Sequence, residues 1–441
     1  MRRAYNKGDW ENARKYAMKI IEHPREEKLA KSVILRSYWN QKDMLKLEMY
    51  LEKWDDVDFE DIRQKFDALQ KRLQKKSQKQ VIPSPDFEID WNPTDIPANF
   101  VQEGDILWFK TPNSWVHWIM PEGFSLQNTH PSLLQLAAEL LLRPWNKEVK
   151  ASFEPGRSKG VNYALSYSAG TDSSAAMQIM PENTILGYHE RNFKSMIKHD
   201  NAHRLIEHLR QSREVLIVKS NHEHLRTQYG KPNGFSTDYA AGVHLVLLAD
   251  MLNLKGIAFG TPIDNTWLKK GVAFRDFSKS NHLEYWQRRF AEAGLELIFP
   301  INMVTEAGAI KICSKSPFVN LMNSCLRGSG MKGCGKCWKC FHKNGPLGRD
   351  FDVDSHEIAT FLKKRPIRSG LHAIWAAKKM NYGDLLPDLQ HLLAQDLAWW
   401  EQYYPPGIEI VPADLRKHIT ERLNHYLEPM LSPYPLEDVD F

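Results

Sequence analysis

From Tyr163 onward, short uninterrupted apolar runs alternate with longer stretches whose apolar residues recur at helical spacing. YALSYS (163–168), TILGYH (184–189), EVLIVKS (214–220) and KGIAFGT (255–261) read as buried strands. DSSAAMQIM (172–180), NAHRLIEHLR (201–210) and DYAAGVHLVLLADML (238–252) read as the helices between them. This alternation predicts an α/β fold: right-handed crossovers and a parallel sheet with helices on both faces. Ligands of such sheets bind beyond the carboxyl ends of the strands.

The chain opens on a different rhythm. YNKGDWENARKYAMKII (5–21) lines up with WNQKDMLKLEMYLEKW (39–54) at an offset of 34, pairing Tyr5 with Trp39, Asp9 with Asp43, Ala13 with Leu47 and Tyr16 with Tyr50. That offset is the period of a helix–turn–helix unit, and the first copy resembles the tetratricopeptide pattern in its Gly8-Asp9 turn, Ala13 and Pro24. Two partial copies fall short of a stable solenoid, so the helices are expected to continue an array cut short at its start, or to pack on the next domain. An ordinary helical hairpin is the alternative.

VIPSPDFEIDWNPTDIPANF (81–100) is Pro-rich and polar and marks a boundary or a linker. After it, GDILWFK (104–110) and SWVHWIM (114–120) predict short strands, and HPSLLQLAAELLLRPW (130–145) predicts a capped apolar helix ended by Pro144. The block carries no chemistry and reads as a cover on the α/β domain. The tail, Phe351 to Phe441, reads as helical through LLPDLQHLLAQDLAWWEQYY (385–404), whose Leu and aromatic stripe suits a core. The expected organisation is therefore 1–80 helical, 81–150 mixed α/β cover, 155–350 the α/β domain and 351–441 helical.

Composition narrows the setting. No apolar run approaches the roughly 20 residues that span a bilayer, and the N-terminus lacks the apolar stretch of a secretory signal, so a cytoplasmic location with no membrane partner is expected. A net charge of +5 is mild for 441 residues. Much of the basic excess lies in QKRLQKKSQKQ (70–80), which has no interleaved aromatics and reads as a solvated helix end or linker; a nucleic-acid partner stays open. Four of five cysteines fall within Cys325 to Cys340, a clustering that in a cytosolic chain points to a metal rather than to disulfides.

Ser168-Ala169-Gly170-Thr171-Asp172-Ser173 joins the first parallel strand to a helix N-terminus. Small side chains there let the backbone approach a ligand closely, and the free amides and dipole of a helix start favour an anion. Hydroxyls of Ser168, Thr171, Ser173 and Ser174 add donors, which suits a phosphate. A Walker loop is excluded because no Lys follows and the glycine spacing is wrong; the dinucleotide fingerprint fails because only Gly170 is present. A serine-rich turn with Asp172 as a cap is the plain alternative. Further on, GIAFGTPIDN (256–265) ends a strand with Gly260, Thr261 and then Asp264, or is a simple turn at Pro262.

The cysteines are spaced Cys325-x8-Cys334-x2-Cys337-x2-Cys340, with glycines between them that allow tight turns around one ion. Four thiolates and no substituting His point to a closed, structural zinc site. An iron–sulfur cluster is the competitor, but Asn344 stands where a ferredoxin run would place its fourth cysteine. Cys313, apart from the others, reads as a small buried residue.

The turn resembles the pyrophosphate loop, S-G-G-x-D-S, of the ATP pyrophosphatases, with Ala169 where that family usually has Gly; Gly260 to Asp264 resembles the G-x-x-x-D segment that lies opposite it. Joined to the cysteine spacing, these motifs resemble the 7-cyano-7-deazaguanine synthases, the zinc-bearing enzymes of queuosine-precursor biosynthesis, over roughly Tyr163 to Gly345. FPINMVTEAGAIKI (299–312) and the Ser-Cys of NSCLRG carry the likeness further.

The resemblance implies an adenine nucleotide α-hydrolase (HUP) fold using ATP, Mg²⁺ and Zn²⁺. Ser168 to Ser174 would bind the nucleotide, with Ser168, Gly170, Ser173 and Ser174 on the pyrophosphate, Asp172 positioning Mg²⁺ or the loop, and Asp172 and Ser173 as the catalytic pair. Gly260, Thr261 and Asp264 would complete the site and Cys325, Cys334, Cys337 and Cys340 would hold zinc. Lys311 and Arg327 are available cations, better explained as surface groups.

The departures are specific. TWLKKGVAFRDFSKSNHLEYW (266–286) replaces the family's substrate segment, Glu306 stands at its usual Lys, and PNGFSTDY (232–239) lacks its Arg-Asn pair. The expected enzyme is thus an AMP- and pyrophosphate-forming ligase that activates a carboxylate or amide for a nitrogen nucleophile, with an acceptor of its own. The acceptor is a small molecule or a macromolecule, and the N-terminal helices offer a place for a protein partner. A tRNA-thiolating enzyme on the same fold and a non-catalytic interaction protein are the alternatives.

Overall fold

The structure, a computed structural model, describes residues 1–41, 47, 50–51, 53–54, 59–66, 68, 84–146, 149, 156–269 and 271–440. Asp43 of the repeat and the basic run 70–80 lie outside the described residues. The chain divides into two compact units, Met1–Pro83 and Ser84–Phe441.

In the first unit, helices Trp10–Ile20 and Glu27–Gln41 share a core of Ala13, Ala17, Ala30, Ile34 and Leu35. Small alanines on facing turns let the helices approach closely, and Asp9 caps the first of the pair by accepting from the Asn12 amide at 3.3 Å. Gly8 supplies the left-handed residue (φ 75°) before that cap.

The second unit is built on one sheet of eight strands. In chain order the strands are β1 (Phe100–Glu103), β2 (Ile106–Lys110), β3 (Trp115–Ile119), β4 (Asn162–Tyr167), β5 (Ile185–Arg191), β6 (Val215–Ser220) and β7 (Leu254–Phe259). A two-stranded hairpin, β8 (Leu268–Lys269) and β9 (Ala273–Phe274), stands apart, and β10 (Glu296–Ile298) closes the sheet. The spatial order is β1-β2-β3-β6-β5-β4-β7-β10. From β6 to β10 every pairing is parallel, and β1 to β3 add an antiparallel edge on β6. The fold is therefore α/β with a mostly parallel sheet, as the alternating pattern predicts. The segment expected as a cover lends three of its strands to the same sheet.

The chain runs outward from β4 through β5 to β6, then crosses back to β7 on the other side of β4. The strand order reverses at β4, so a crevice opens beyond the carboxyl ends of β4 and β7. No helix among the described residues is long and apolar enough to cross a membrane.

Two expected helices are not continuous. DYAAGVHLVLLADML forms a short 3₁₀ turn and the α-helix Val243–Leu247. Residues 242–249 are all buried, so apolarity on every side marks no helical face and no end. In the tail, LLPDLQHLLAQDLAWWEQYY breaks into short turns around Gln390–Leu393. Pro387 interrupts the ladder there, while Leu392, Leu393, Leu397 and Trp400 are buried as the stripe implies. The longest helix of the tail is Ala413–Tyr426.

Candidate functional site

β4 ends at Tyr167, and the chain passes through Ser168, Ala169 and Gly170 into the helix Thr171–Ile179. The left-handed residue of this turn is Ala169 (φ 57°), while Gly170 sits at φ −85° as the N-cap. Gly170 is therefore not required by its backbone angle; a Cβ there would stand 3.3 Å from Ser168 Oγ and 3.7 Å from Ser324 Oγ, on the face that lines the cavity. Ser173 ties the turn together: its Oγ accepts from the Ser168 amide (3.1 Å), donates to the Gly170 carbonyl (3.2 Å) and meets Ser168 Oγ (3.0 Å). Gly260, at the end of β7, allows the two strand ends to converge, since a Cβ on it would fall 2.8 Å from Ser173 Cα.

Not every predicted residue faces the ligand side. Ser174 is fully buried, with its Oγ 3.1 Å from the Tyr167 hydroxyl, and lines neither of the two cavities that open on the turn. Asp172 does not cap the helix. Both of its oxygens accept from Lys343 Nζ, at 2.6 and 2.5 Å. Lys311 and Arg327 lie at the surface, paired with Glu401 and Glu357, as expected. Cys313 is buried beneath the turn and donates to the Thr171 carbonyl.

The four clustered cysteines converge. Sγ of Cys337 lies 3.6 Å from those of Cys325 and Cys340, Cys334 Sγ lies 3.9 Å from that of Cys340, and all four fall within 4.8 Å of one another. Disulfide sulfurs would be about 2 Å apart, whereas four thiolates about 2.3 Å from a tetrahedral ion stand about 3.8 Å apart. The cluster can hold a metal ion such as zinc. The Cys334 amide also points at Cys325 Sγ (3.3 Å), which favours a thiolate there.

This knuckle grips the turn from both ends. Ser324, just before Cys325, has its Oγ 3.0 Å from the Thr171 amide and 2.5 Å from Thr171 Oγ1. Lys343, three residues past Cys340, reaches Asp172. Sequence spacing reveals neither contact, because the partners are separated by 153 and 171 residues.

Beneath Lys343 lies a buried cluster of charge. Glu306, at the start of the helix Glu306–Ser314, places Oε1 3.6 Å from Lys343 Nζ and Oε2 3.3 Å from His342 Nε2 and 3.5 Å from His372 Nε2. Asp264 Oδ2 accepts from the Glu306 amide at 3.0 Å. Burial alone would lower the Lys343 pKa, but the charges of Asp172 and Glu306 more than offset it and hold the ammonium above its ordinary range. Burial, and then the charge of Glu306, push Asp264 well above the usual carboxylate range.

Two cavities open on the turn. The larger, about 1460 Å³, is lined by Ser168, Gly170, Thr171 and Asp172 on one side and by Asp264, Glu306, Ser324 and Lys343 below, and extends to Trp338, Phe361 and Arg368. The smaller, about 300 Å³, takes in Ser173, Gly260, Thr261, Tyr188 and His189. Arg191 and Glu223 line both and form an ion pair, in which Glu223 also accepts from His189 at 3.1 Å. Among its described residues, the segment 266–286 gives the large cavity only Gly271; its Trp267 is buried and donates to Asn302 at 3.1 Å.

The structure thus gathers Ser168, Gly170, Thr171, Asp172, Ser173, Gly260, Thr261 and Asp264 around one crevice, with Ala169 setting the turn. It adds Lys343, Ser324, Glu306, His342 and His372. Glu306, standing at the usual Lys of the resembled family, and Ser324, in the Ser-Cys pair, were legible in the sequence; Lys343, His342 and His372 belong to no motif that it shows.

Residues 285–433 match a family of unknown function, DUF6395, over less than half of the chain. The matched span holds Glu306, the four clustered cysteines, Lys343 and His372 but not the turn 168–174. No curated protein matches the chain.

Proposed function

We propose that the protein is an ATP-dependent adenylating enzyme of the pyrophosphatase-loop kind, with Zn²⁺ held by the cysteine knuckle. The observation that carries this reading is the turn at the sheet's reversal point: small residues, a helix start and three hydroxyls face a cavity, beside a buried ammonium. ATP would supply an adenylyl group to a carboxylate or amide oxygen of the acceptor, pyrophosphate leaving from the α-phosphorus and a nitrogen nucleophile then displacing AMP.

The chain's own residues have separable tasks in this scheme. The Asp172 and Ser173 amides at the start of the helix Thr171–Ile179, with Ser168 and Gly170, bind phosphate oxygens as charge builds on the leaving group. Ser173 keeps the turn in shape. Lys343 supplies fixed positive charge, and Asp172 both holds that lysine and offers a carboxylate to Mg²⁺. The small cavity suits the nucleoside. The large one exceeds the roughly 300–1,000 Å³ of ordinary small-ligand pockets, which supports a bulky or macromolecular acceptor.

The test is product formation. Asp172→Ala should abolish release of AMP and pyrophosphate, a loss of at least 10²-fold on the scale of one electrostatic group, while the folded protein persists. Gly170→Val should weaken ATP binding measured by calorimetry, because its side chain enters the phosphate space. Formation of ADP, or ATP affinity unchanged in Gly170→Val, would overturn the reading in favour of an interaction protein. Stoichiometric iron would favour the thiolating alternative.

A further inference from the structure

That reading leaves a set of polar atoms under the turn unused. Glu306 Oε2, His342 Nε2 and Asp264 Oδ1 are shielded from solvent, and none of the three makes a hydrogen bond. Each belongs to a residue at least nine-tenths buried.

The tautomer of His342 is set by its surroundings. Nδ1 lies 2.7 Å from the Trp338 carbonyl, which can only accept, so Nδ1 carries the proton and Nε2 presents its lone pair. That lone pair faces Glu306 Oε2 across 3.3 Å. Two electron-rich atoms so placed in a dry interior require a positive charge between them. A backbone carbonyl fixing the far nitrogen is also the usual support of a metal-bound imidazole. Ligands at about 2.1 Å from an ion would span this gap at an angle of roughly 100°, between octahedral and tetrahedral values.

Charge points the same way. The Lys343 ammonium makes its short contacts with Asp172 and lies 3.6 Å from Glu306 Oε1, so it leaves Glu306 Oε2 unpaired. Glu306 Oε2 has no hydrogen-bond donor among the described residues, and its negative charge favours a cation beside it. Asp264 and Glu306 both line the large cavity, which gives the ion an entry path and open coordination positions.

We infer that Glu306 and His342 form a second metal site, for a divalent transition-metal ion, below the phosphate turn. Mixed oxygen and nitrogen donors suit Mn²⁺, Co²⁺ or Zn²⁺ better than Mg²⁺. His372 braces the pair: its Nε2 donates to the His342 carbonyl (2.8 Å) and lies 3.5 Å from Glu306 Oε2, and it becomes a third ligand by giving up that bond. The site does not rest on the adenylating reading, because it needs no nucleotide.

Cobalt separates the two sites. The full chain, stripped with chelator and titrated with Co²⁺, should take up two equivalents: one with the intense near-ultraviolet band of cobalt thiolate, one with only weak visible bands. Glu306→Gln and His342→Gln should each lower uptake from two equivalents to one and keep the thiolate band, which also shows that the knuckle has folded. Cys337→Ser should lose the thiolate band and keep the weak ones. Saturation of the wild-type protein at one equivalent, or two equivalents in both Glu306→Gln and His342→Gln, would overturn the site and leave a proton between Glu306 and His342.

Discussion

The turn Ser168–Ser173 and the knuckle Cys325–Cys340 are both short, glycine-bearing stretches, yet they dispose of their polar atoms in opposite ways. The knuckle turns four sulfurs on one another and buries three of its cysteines. The turn points hydroxyls and a helix start at a cavity and leaves Ser168 exposed. A closed site can be specified locally, since sixteen consecutive residues carry every ligand it needs. An open site cannot. Its turn is held by Ser324 from one side and by Lys343 from the other, and both belong to the knuckle's flanks. The sulfur cluster is thus also the clamp of the oxygen-lined one.

Breaking the clamp at its centre should have the largest effect. Structural zinc contributes about 10–16 kcal/mol of apparent binding energy in small domains, comparable to the whole stability of a typical fold at about 5–15 kcal/mol. Cys337→Ser is expected to lose one equivalent of zinc, by elemental analysis, and to lower Tm by more than about 10 °C. It should weaken ATP binding as well, because Ser324 and Lys343 lose their anchor. Full metal content with an unchanged Tm would separate the two regions again.

Lys343→Met tests the contact itself. Removing one partner of a buried ion pair costs about 3–5 kcal/mol, because the carboxylates left behind are uncompensated. Urea denaturation should show a loss of that size with zinc content unchanged. A variant as stable as the parent would mean that the knuckle does not secure the turn through this lysine.

The smallest effect belongs to Ala169→Gly. A left-handed alanine costs about 1 kcal/mol, and replacing it with glycine returns that strain while adding roughly 0.5–1 kcal/mol of unfolded-state freedom. The two nearly cancel, so Tm should move by no more than about 2 °C. A large gain would show that the turn is strained beyond its backbone angle.

Much of this molecule was open to reading from the chain alone, and the readable parts share a cause. Strand–helix alternation, the serine turn and the cysteine spacing are local patterns, and each names groups that lie within a few residues of one another. Periodicity predicts the strands β4 to β7 to within two residues at each end, because a buried parallel strand must be apolar throughout. It misjudges 238–252, where burial on all sides erases the face that a periodicity needs, and 385–404, where Pro387 interrupts the helical ladder.

What only the tertiary structure decided is the electrostatics of the site. The contacts of Asp172 with Lys343, of Thr171 with Ser324, and of Asp264 with Glu306 join residues up to 171 positions apart. Lys343, His342 and His372 belong to no motif that the sequence shows. Only packing removes the water around them, and removing that water turns a surface lysine into a fixed charge and two facing lone pairs into a place for a metal ion.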